Sequence, residues 1–143
     1  MSAATVIGDV AAALVTRFGT ISGLKVYDHE SREPDALPAL MIGRHVVERT
    51  APDAYEPQLG STGWTITFDV KLYVALDDPS TAFASSRTLT GQAIGAIDAS
   101  RSLGLDGVVV DASMTSADMG FTGPEAQRQM VIVECAVEAL CLV

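Results

Sequence analysis

The chain has 143 residues, 48% of them hydrophobic and 19% charged, a size typical of one domain with a sizeable core. Eighteen acidic residues against nine basic ones give a formal net charge of −9, and the basic residues are scattered singly. Nucleic acids and anionic membranes bind to basic patches, so both partners are disfavoured. No apolar run reaches the roughly 18 residues that a spanning helix needs, and the first 15 residues lack the positive start of a secretory signal.

The first segments predict one helix and two strands. An apolar side chain stands at every fourth position of the opening segment, at Val6, Val10, Leu14 and Phe18. This spacing predicts an amphipathic helix over residues 2–18. A short strand is expected at residues 24–27 and a polar loop at 28–35, before a second strand at 38–49. That strand is apolar in its first half and charged in its second, so one end should be buried while the other projects.

A long hairpin follows. Residues 50–62 contain Pro52 and Pro57 and have no apolar period, which predicts a long loop. Apolar and polar side chains then alternate from Trp64 to Leu76, the pattern of a long half-buried antiparallel strand. The two strands on either side of the loop should form a β-hairpin with this loop at its tip.

The second half of the chain predicts another helix and two more strands. Asp77, Asp78 and Pro79 are typical of a helix start, and helical spacing continues to about Ser100. A turn at residues 103–107 precedes a strand from Val108. Residues 127–143 fit a helix or a strand by period, and their β-branched residues favour the strand, with both cysteines on one face. The two thiols lie too far apart along such a strand to pair with each other.

We therefore predict a single α+β domain over residues 1–143. Its core should be an antiparallel sheet of about four main strands, with two helices packed on one face and a long projecting hairpin loop.

Residues that could perform catalysis are few. Asp28, His29 and Glu30, with His45, could ligate a metal, but consecutive residues on a strand end point to opposite sides, so a solvated acidic loop is expected instead. Cys135 and Cys141 lie in the most apolar segment, where burial raises thiol pKa and reduces reactivity. We expect no catalytic residue, metal or cofactor.

The predicted second face of the sheet is too apolar to remain entirely in water. It would carry Tyr73, Ala75, Val109, Met130, Ile132 and Leu142. We predict that a partner covers part of it, and that Tyr55 and Leu59 at the hairpin tip reach a neighbour. The predicted protein-contact residues are Arg49, Tyr55, Glu56, Lys71, Tyr73, Glu134 and Glu138.

The order of these segments resembles the tail terminator, or tail completion, proteins of long-tailed bacteriophages. The resemblance extends from the opening helix through Leu37-Pro38-Ala39-Leu40, the long loop and the alternating strand. It continues with the helix after Asp78-Pro79, the turn Leu103-Gly104-Leu105-Asp106-Gly107 and two closing strands.

The resemblance implies a virion structural protein at the neck end of the tail, made in the host cytoplasm. Such proteins form a hexameric ring that caps the tail tube, stops its polymerisation and receives the head or its connector. The implied partners are further copies of the chain, the tube protein and the connector protein, with DNA passing through the lumen without specific binding. An acidic lumen wall would repel DNA and let it slide.

Two alternatives remain open from the sequence. Another head-to-tail joining protein would share this size and layout. A small intracellular enzyme or ligand-binding domain would instead use a pocket between the helices and the sheet.

Overall fold

A computed structural model describes residues 3–30, 34–49, 63–123 and 128–142, and in it two helices and five strands form one α+β unit. In chain order these are α1 (Ala3–Phe18), β1 (Lys25–Tyr27), β2 (Ala39–Arg49), β3 (Gly63–Ala75), α2 (Pro79–Asp98), β4 (Val109–Phe121) and β5 (Met130–Leu142). The predicted fold class is confirmed, and the C-terminal segment is a strand as predicted. No helix within these described ranges is long and apolar enough to cross a membrane.

The five strands form one sheet in the order β1-β2-β3-β5-β4. The ladders β2–β3, β3–β5 and β5–β4 are antiparallel, and β2 with β3 makes the predicted hairpin, whose loop at residues 50–62 lies outside the described residues. The short strand β1 pairs in parallel with Ala39, Leu40 and Met41. The sheet is therefore mixed rather than wholly antiparallel, because the β1–β2 connection returns the chain to the same end of the sheet before β2 begins.

Both helices cover one face of the sheet, which we call the helix-side face; the opposite one is the outer face. Helix α1 buries the predicted stripe of Val6, Val10, Leu14 and Phe18, each at most 1% exposed. The alternating positions of β3 and β5 complete this core: Ile66, Phe68, Val70, Leu72 and Val74 with Val131, Val133, Cys135, Val137, Ala139 and Cys141. The strict alternation seen in the sequence is thus the cause of a one-sided core.

The ends of α2 follow from local chemistry. Asp78 occupies the N-cap position and Pro79 the first turn, where a missing N–H costs nothing. The Asp78 carboxylate accepts a hydrogen bond from the Thr81 hydroxyl at 2.6 Å rather than from a backbone N–H. At the far end, the guanidinium Nε of Arg17 in α1 donates to the carbonyl oxygen of Ala96 at 3.0 Å and joins the two helices.

A second, small apolar cluster lies on the outer face. Met41, Tyr73 and Met130 are buried there, and Tyr27, Leu37 and Ile132 pack against them. Leu37 belongs to the β1–β2 connection, so this connection crosses the outer face and shields it. The expected exposure of Tyr73 and Met130 on this face is therefore wrong, because the chain itself buries both side chains.

Strand β4 contains an irregularity that the sequence pattern concealed. The ladder with β5 shifts register between Val109 and Asp111, and again between Met114 and Ser116. Each bulge inserts one residue and changes the face to which later side chains point. Val109 consequently lies in the helix-side core at 3% exposure, while Val110 is 47% exposed. The predicted position of Val109 on the outer face is wrong for this reason.

Candidate interaction surface

Several predicted contact residues project from the outer face of the sheet. Lys71 of β3 is in register with Glu134 of β5, and Glu134 is in turn in register with Asp118 of β4. Glu138 lies on the same face of β5, four residues further along. The sheet topology therefore brings Lys71, Glu134 and Glu138 together and adds Asp118, which the sequence analysis did not single out.

Asp118, Glu134 and Glu138 form what we call the acidic patch. Within the described part of the chain, no ion pair joins any of the three to a cation. Like charges directly opposite each other on neighbouring strands, as Asp118 and Glu134 are, repel. By contrast, Asp111 at the other end of β4 accepts a 2.7 Å hydrogen bond from Arg101, which holds the pKa of that carboxyl below its ordinary value. Lys71 is the cation in register with Glu134, but its ammonium is bound to Glu30, so among the described residues the acidic patch forms no ion pair of its own.

Lys71 and Tyr73 are engaged inside the monomer. The Lys71 ammonium donates to a carboxylate oxygen of Glu30 at 2.6 Å, and this bond raises the pKa of Lys71. Tyr73 is 6% exposed, and burial raises the pKa of its hydroxyl. The Tyr73 side chain therefore packs within the outer-face cluster. Within one copy of the chain it is too buried to make the surface contact predicted for it.

Glu30 can approach the sheet because a glycine lies beneath it. A Cβ on Gly43 would come within 3.0 Å of the Glu30 carboxylate and 3.2 Å of the Asp69 carbonyl oxygen. The absence of a side chain at this position lets the β1–β2 connection lie close against the outer face.

The base of the hairpin carries another predicted contact residue. The Arg49 guanidinium lies over the Trp64 ring, 5.0 Å from its centroid, a cation–π arrangement that leaves Arg49 exposed. Tyr55, Glu56 and Leu59, predicted at the hairpin tip, lie outside the described residues.

The edge strand β4 exposes apolar side chains that sequence reasoning missed. Met119 is 49% exposed and Phe121 is 55% exposed, and the Phe121 ring makes an edge contact with Phe83 of α2 at 5.8 Å. The two residues continue the helix-side face beyond the area that α2 covers. Their alternation with Asp118 and Gly120 was a readable signal, but only the position of α2 shows that they stay uncovered.

The candidate metal ligands do not converge. His29 Nδ1 lies 2.7 Å from an Asp28 carboxylate oxygen, whereas Glu30 is bound to Lys71. The His45 ring lies beside the Phe68 ring on the helix-side face, tilted by 49°, with ring centroids 5.7 Å apart. Among the side chains that the structure describes, no group of three or more metal-ligating residues is found.

The two cysteines are buried thiols. Burial raises the pKa of Cys135 and of Cys141 to about 11, and a lesser contribution at Cys135 comes from the charge of Asp118. Such thiols are almost fully protonated at neutral pH and are poor nucleophiles, as the sequence analysis expected.

A groove lies beside the start of α2, with a volume of about 590 Å³. Leu37, Pro38, Val74 and Leu89 give it an apolar lining, and Asp77 and Asp78 are the ionisable residues among those that line it. Asp78 is already engaged by the Thr81 hydroxyl. The described lining of the groove therefore offers apolar contact but no acid–base pair with a nucleophile.

Comparison with known proteins is informative at the level of structure. No protein-family model and no curated protein match the chain. A chain in the solved structure of the virion of a native gene transfer agent particle superposes with a TM-score of 0.64 and 16% sequence identity. The match covers 96% of this chain and 98% of that chain. At this identity, the likeness shows a shared fold that extends over nearly the whole length of both chains.

Proposed function

We propose that this protein is a structural component of a phage-like virion and has no enzymatic role. The observation that carries the proposal is the likeness in fold to a gene transfer agent virion chain, with almost no unmatched residues in either chain. A module that carried an extra catalytic region would leave such a region unmatched.

More specifically, we propose that the protein is the tail terminator. In this role, copies of the chain form a ring, of six subunits in the family it resembles, at the neck end of the tail tube. The ring stops tube polymerisation and presents a surface to the head or its connector. The tube protein and the connector protein are then its partners.

The charge distribution supports this role. With a net charge of −9 and an acidic patch on the outer face, the protein is poorly suited to hold DNA. A lumen wall with acidic side chains repels the phosphate backbone, so DNA would pass along it without binding.

The test is deletion of the gene from the particle-producing genome, followed by electron microscopy of the particles. We expect overlong or ragged tubes that are not attached to heads, and tails of normal length when the wild-type gene is supplied in trans. Tails of normal length that fail to join heads would identify a different neck protein. Complete particles with normal tails would contradict a structural role at the neck.

A separate measurement addresses the enzyme or ligand-binding alternative. Native mass spectrometry and elemental analysis of the purified protein should show the bare polypeptide mass. A stoichiometric small molecule or metal would favour that alternative.

A further inference from the structure

The sheet has two open edges of different character. Strand β4 is one edge, and among the described strands it pairs with β5 alone. At the other edge β1 covers only Ala39, Leu40 and Met41 of β2, so no described strand pairs with residues 43–49 on that side. We call residues 43–49 the open half of β2. Unpaired backbone donors and acceptors at a sheet edge are a template for another strand.

The strand directions make these two edges compatible. Because β2–β3, β3–β5 and β5–β4 are all antiparallel, β4 runs opposite to β2. In copies related by rotation about an axis along the strands, β4 of one copy and β2 of the next would therefore run antiparallel, which is the more stable pairing. The helices of all copies would remain on the same side of the continuous sheet.

The charges of the two edges are complementary. The open half of β2 carries Arg44, His45 and Arg49 against one acid, Glu48. The Arg44 side chain is 82% exposed, and the carboxylate that it reaches among the described residues is that of Asp69, at 3.2 Å. At the other edge, Asp118 belongs to the acidic patch, which forms no ion pair with any cation that the structure describes.

The registers place the unpaired residues of β2 level with residues 109–116 of β4. Asp69, the partner of Arg44, is in register with Ala136, and Ala136 with Ser116, two residues before Asp118. A level arrangement would thus place Arg44 of one copy beside Ser116 of the next. Asp118 lies at the level of Met41, where β1 already pairs, so β4 would leave the shared ladder after Ser116 and the long Arg44 side chain would reach toward Asp118. An arginine there would relieve the repulsion between Asp118 and Glu134.

We propose that copies of this chain associate head to tail by antiparallel pairing of residues 109–116 of β4 with the open half of the neighbour's β2, with the Arg44 side chain reaching Asp118 just beyond the paired residues. The proposal rests on the proposed function in that it names the subunit contact of the ring. The interface is heterologous, so association continues beyond a dimer and gives a ring when the rotation between successive copies closes.

Cysteine cross-linking tests this pairing directly. Across the sheet, Val46 of β2 pairs with Thr67, Thr67 with Glu138, and Glu138 with Ser113 of β4. Val46 and Ser113 are therefore at the same level, and Val46 of one copy should face Ser113 of the next. The variants are Val46→Cys, Ser113→Cys and the double variant, in purified protein and in particles. A short bismaleimide tolerates a small shift of register, since diagonal neighbours on paired strands lie about 7–8 Å apart. Wild-type protein is the control for the buried native thiols.

We expect the double variant to give a ladder of multimers, the two single variants mixed together to give dimers only, and each single variant alone to stay monomeric. Ser113→Cys linking to itself would reveal β4–β4 pairing and overturn the proposal. Absence of any cross-link in both purified protein and particles would also overturn it.

Charge reversal provides a second test, with rescue. Arg44→Glu and Asp118→Lys should each weaken self-association by about tenfold or more, and the double variant should recover most of the loss. Within one monomer the two residues are three strand spacings apart, about 14 Å, so a local structural effect would not be rescued. Additive losses in the double variant would contradict the proposed contact.

The tail phenotype and the cross-links fail separately. Overlong tails without a ladder would leave the terminator role standing and remove the edge pairing. A ladder together with normal tails in the deletion strain would leave the edge pairing standing and remove the terminator role.

Discussion

The Lys71 ammonium and the Glu30 carboxylate meet at 2.6 Å across forty-one residues of sequence. Their bond ties the β1–β2 connection to the outer face of the sheet, beside the buried cluster of Met41, Tyr73 and Met130. It also raises the pKa of Lys71, so the stabilisation from this pair is present below the ordinary lysine pKa and is lost as the pH rises through the raised value.

Removal of this ion pair should cost modest stability. Both side chains are about a third or more exposed, so solvent screening limits the coupling to about 0.5–1 kcal/mol. Denaturant unfolding at pH 7 of wild type, Lys71→Met, Glu30→Gln and the double variant would measure it as a double-mutant cycle. A coupling near zero would mean that the connection is held by its apolar contacts alone.

Alkaline pH should destabilise the protein through its cysteines. Each buried thiol has a pKa of about 11, above the ordinary value, so the unfolded state releases its protons first. Stability is therefore unaffected by these groups below about pH 8.5 and falls as the pH rises to about 11, by an amount on the order of 2 kcal/mol per thiol.

The measurement is the free energy of unfolding at pH 8 and at pH 10.5, under reducing conditions. Cys135→Ala/Cys141→Ala should lose less stability between the two pH values than wild type does. Equal losses would show that other groups dominate the alkaline transition. In the native wild type, both thiols should also resist alkylation at pH 8 until denaturant is added.

The β4 bulge predicts that truncation of two adjacent valines costs very different amounts of stability. Val109→Ala removes two methyl groups from a site that is 3% exposed and should cost about 1.5–3 kcal/mol. Val110→Ala, the matched control, alters a side chain that is 47% exposed and should cost less than about 0.5 kcal/mol. Thermal or denaturant unfolding measures both. Similar costs at the two positions would argue against the bulge.

Replacement of the exposed apolar side chains at the β4 edge should change the surface of the protein with little loss of stability. Met119→Thr/Phe121→Thr should cost about 1 kcal/mol, chiefly through the lost contact with Phe83. It should also reduce the fluorescence of anilinonaphthalene sulfonate bound to the free protein. Val46→Thr changes an isolated exposed valine and should leave the dye signal unaltered. An unaltered signal in the first variant would show that this patch does not bind the dye.

The elements of this fold were predictable because their signals are local. A four-residue stripe from Val6 to Phe18 can bury one side only as a helix, and strict alternation from Trp64 can do so only as a strand. The choice of strand for the C-terminal segment followed from its β-branched residues. The burial of both cysteines followed from the apolar residues around them, and their raised pKa values follow from that burial.

Other features arose only in the tertiary structure. The bulge that turns Val109 into the core depends on the register with β5, and the burial of Tyr73 depends on a connection that crosses the outer face. The juxtaposition of Asp118 with Glu134, and the two open edges of the sheet, depend on strand order. Side-chain period determines which segments form helices and strands, and it is present in the sequence itself. Strand order, register and the burial of a sheet face by a connection are determined by contacts between distant residues. No local sequence pattern records the free energies of those contacts.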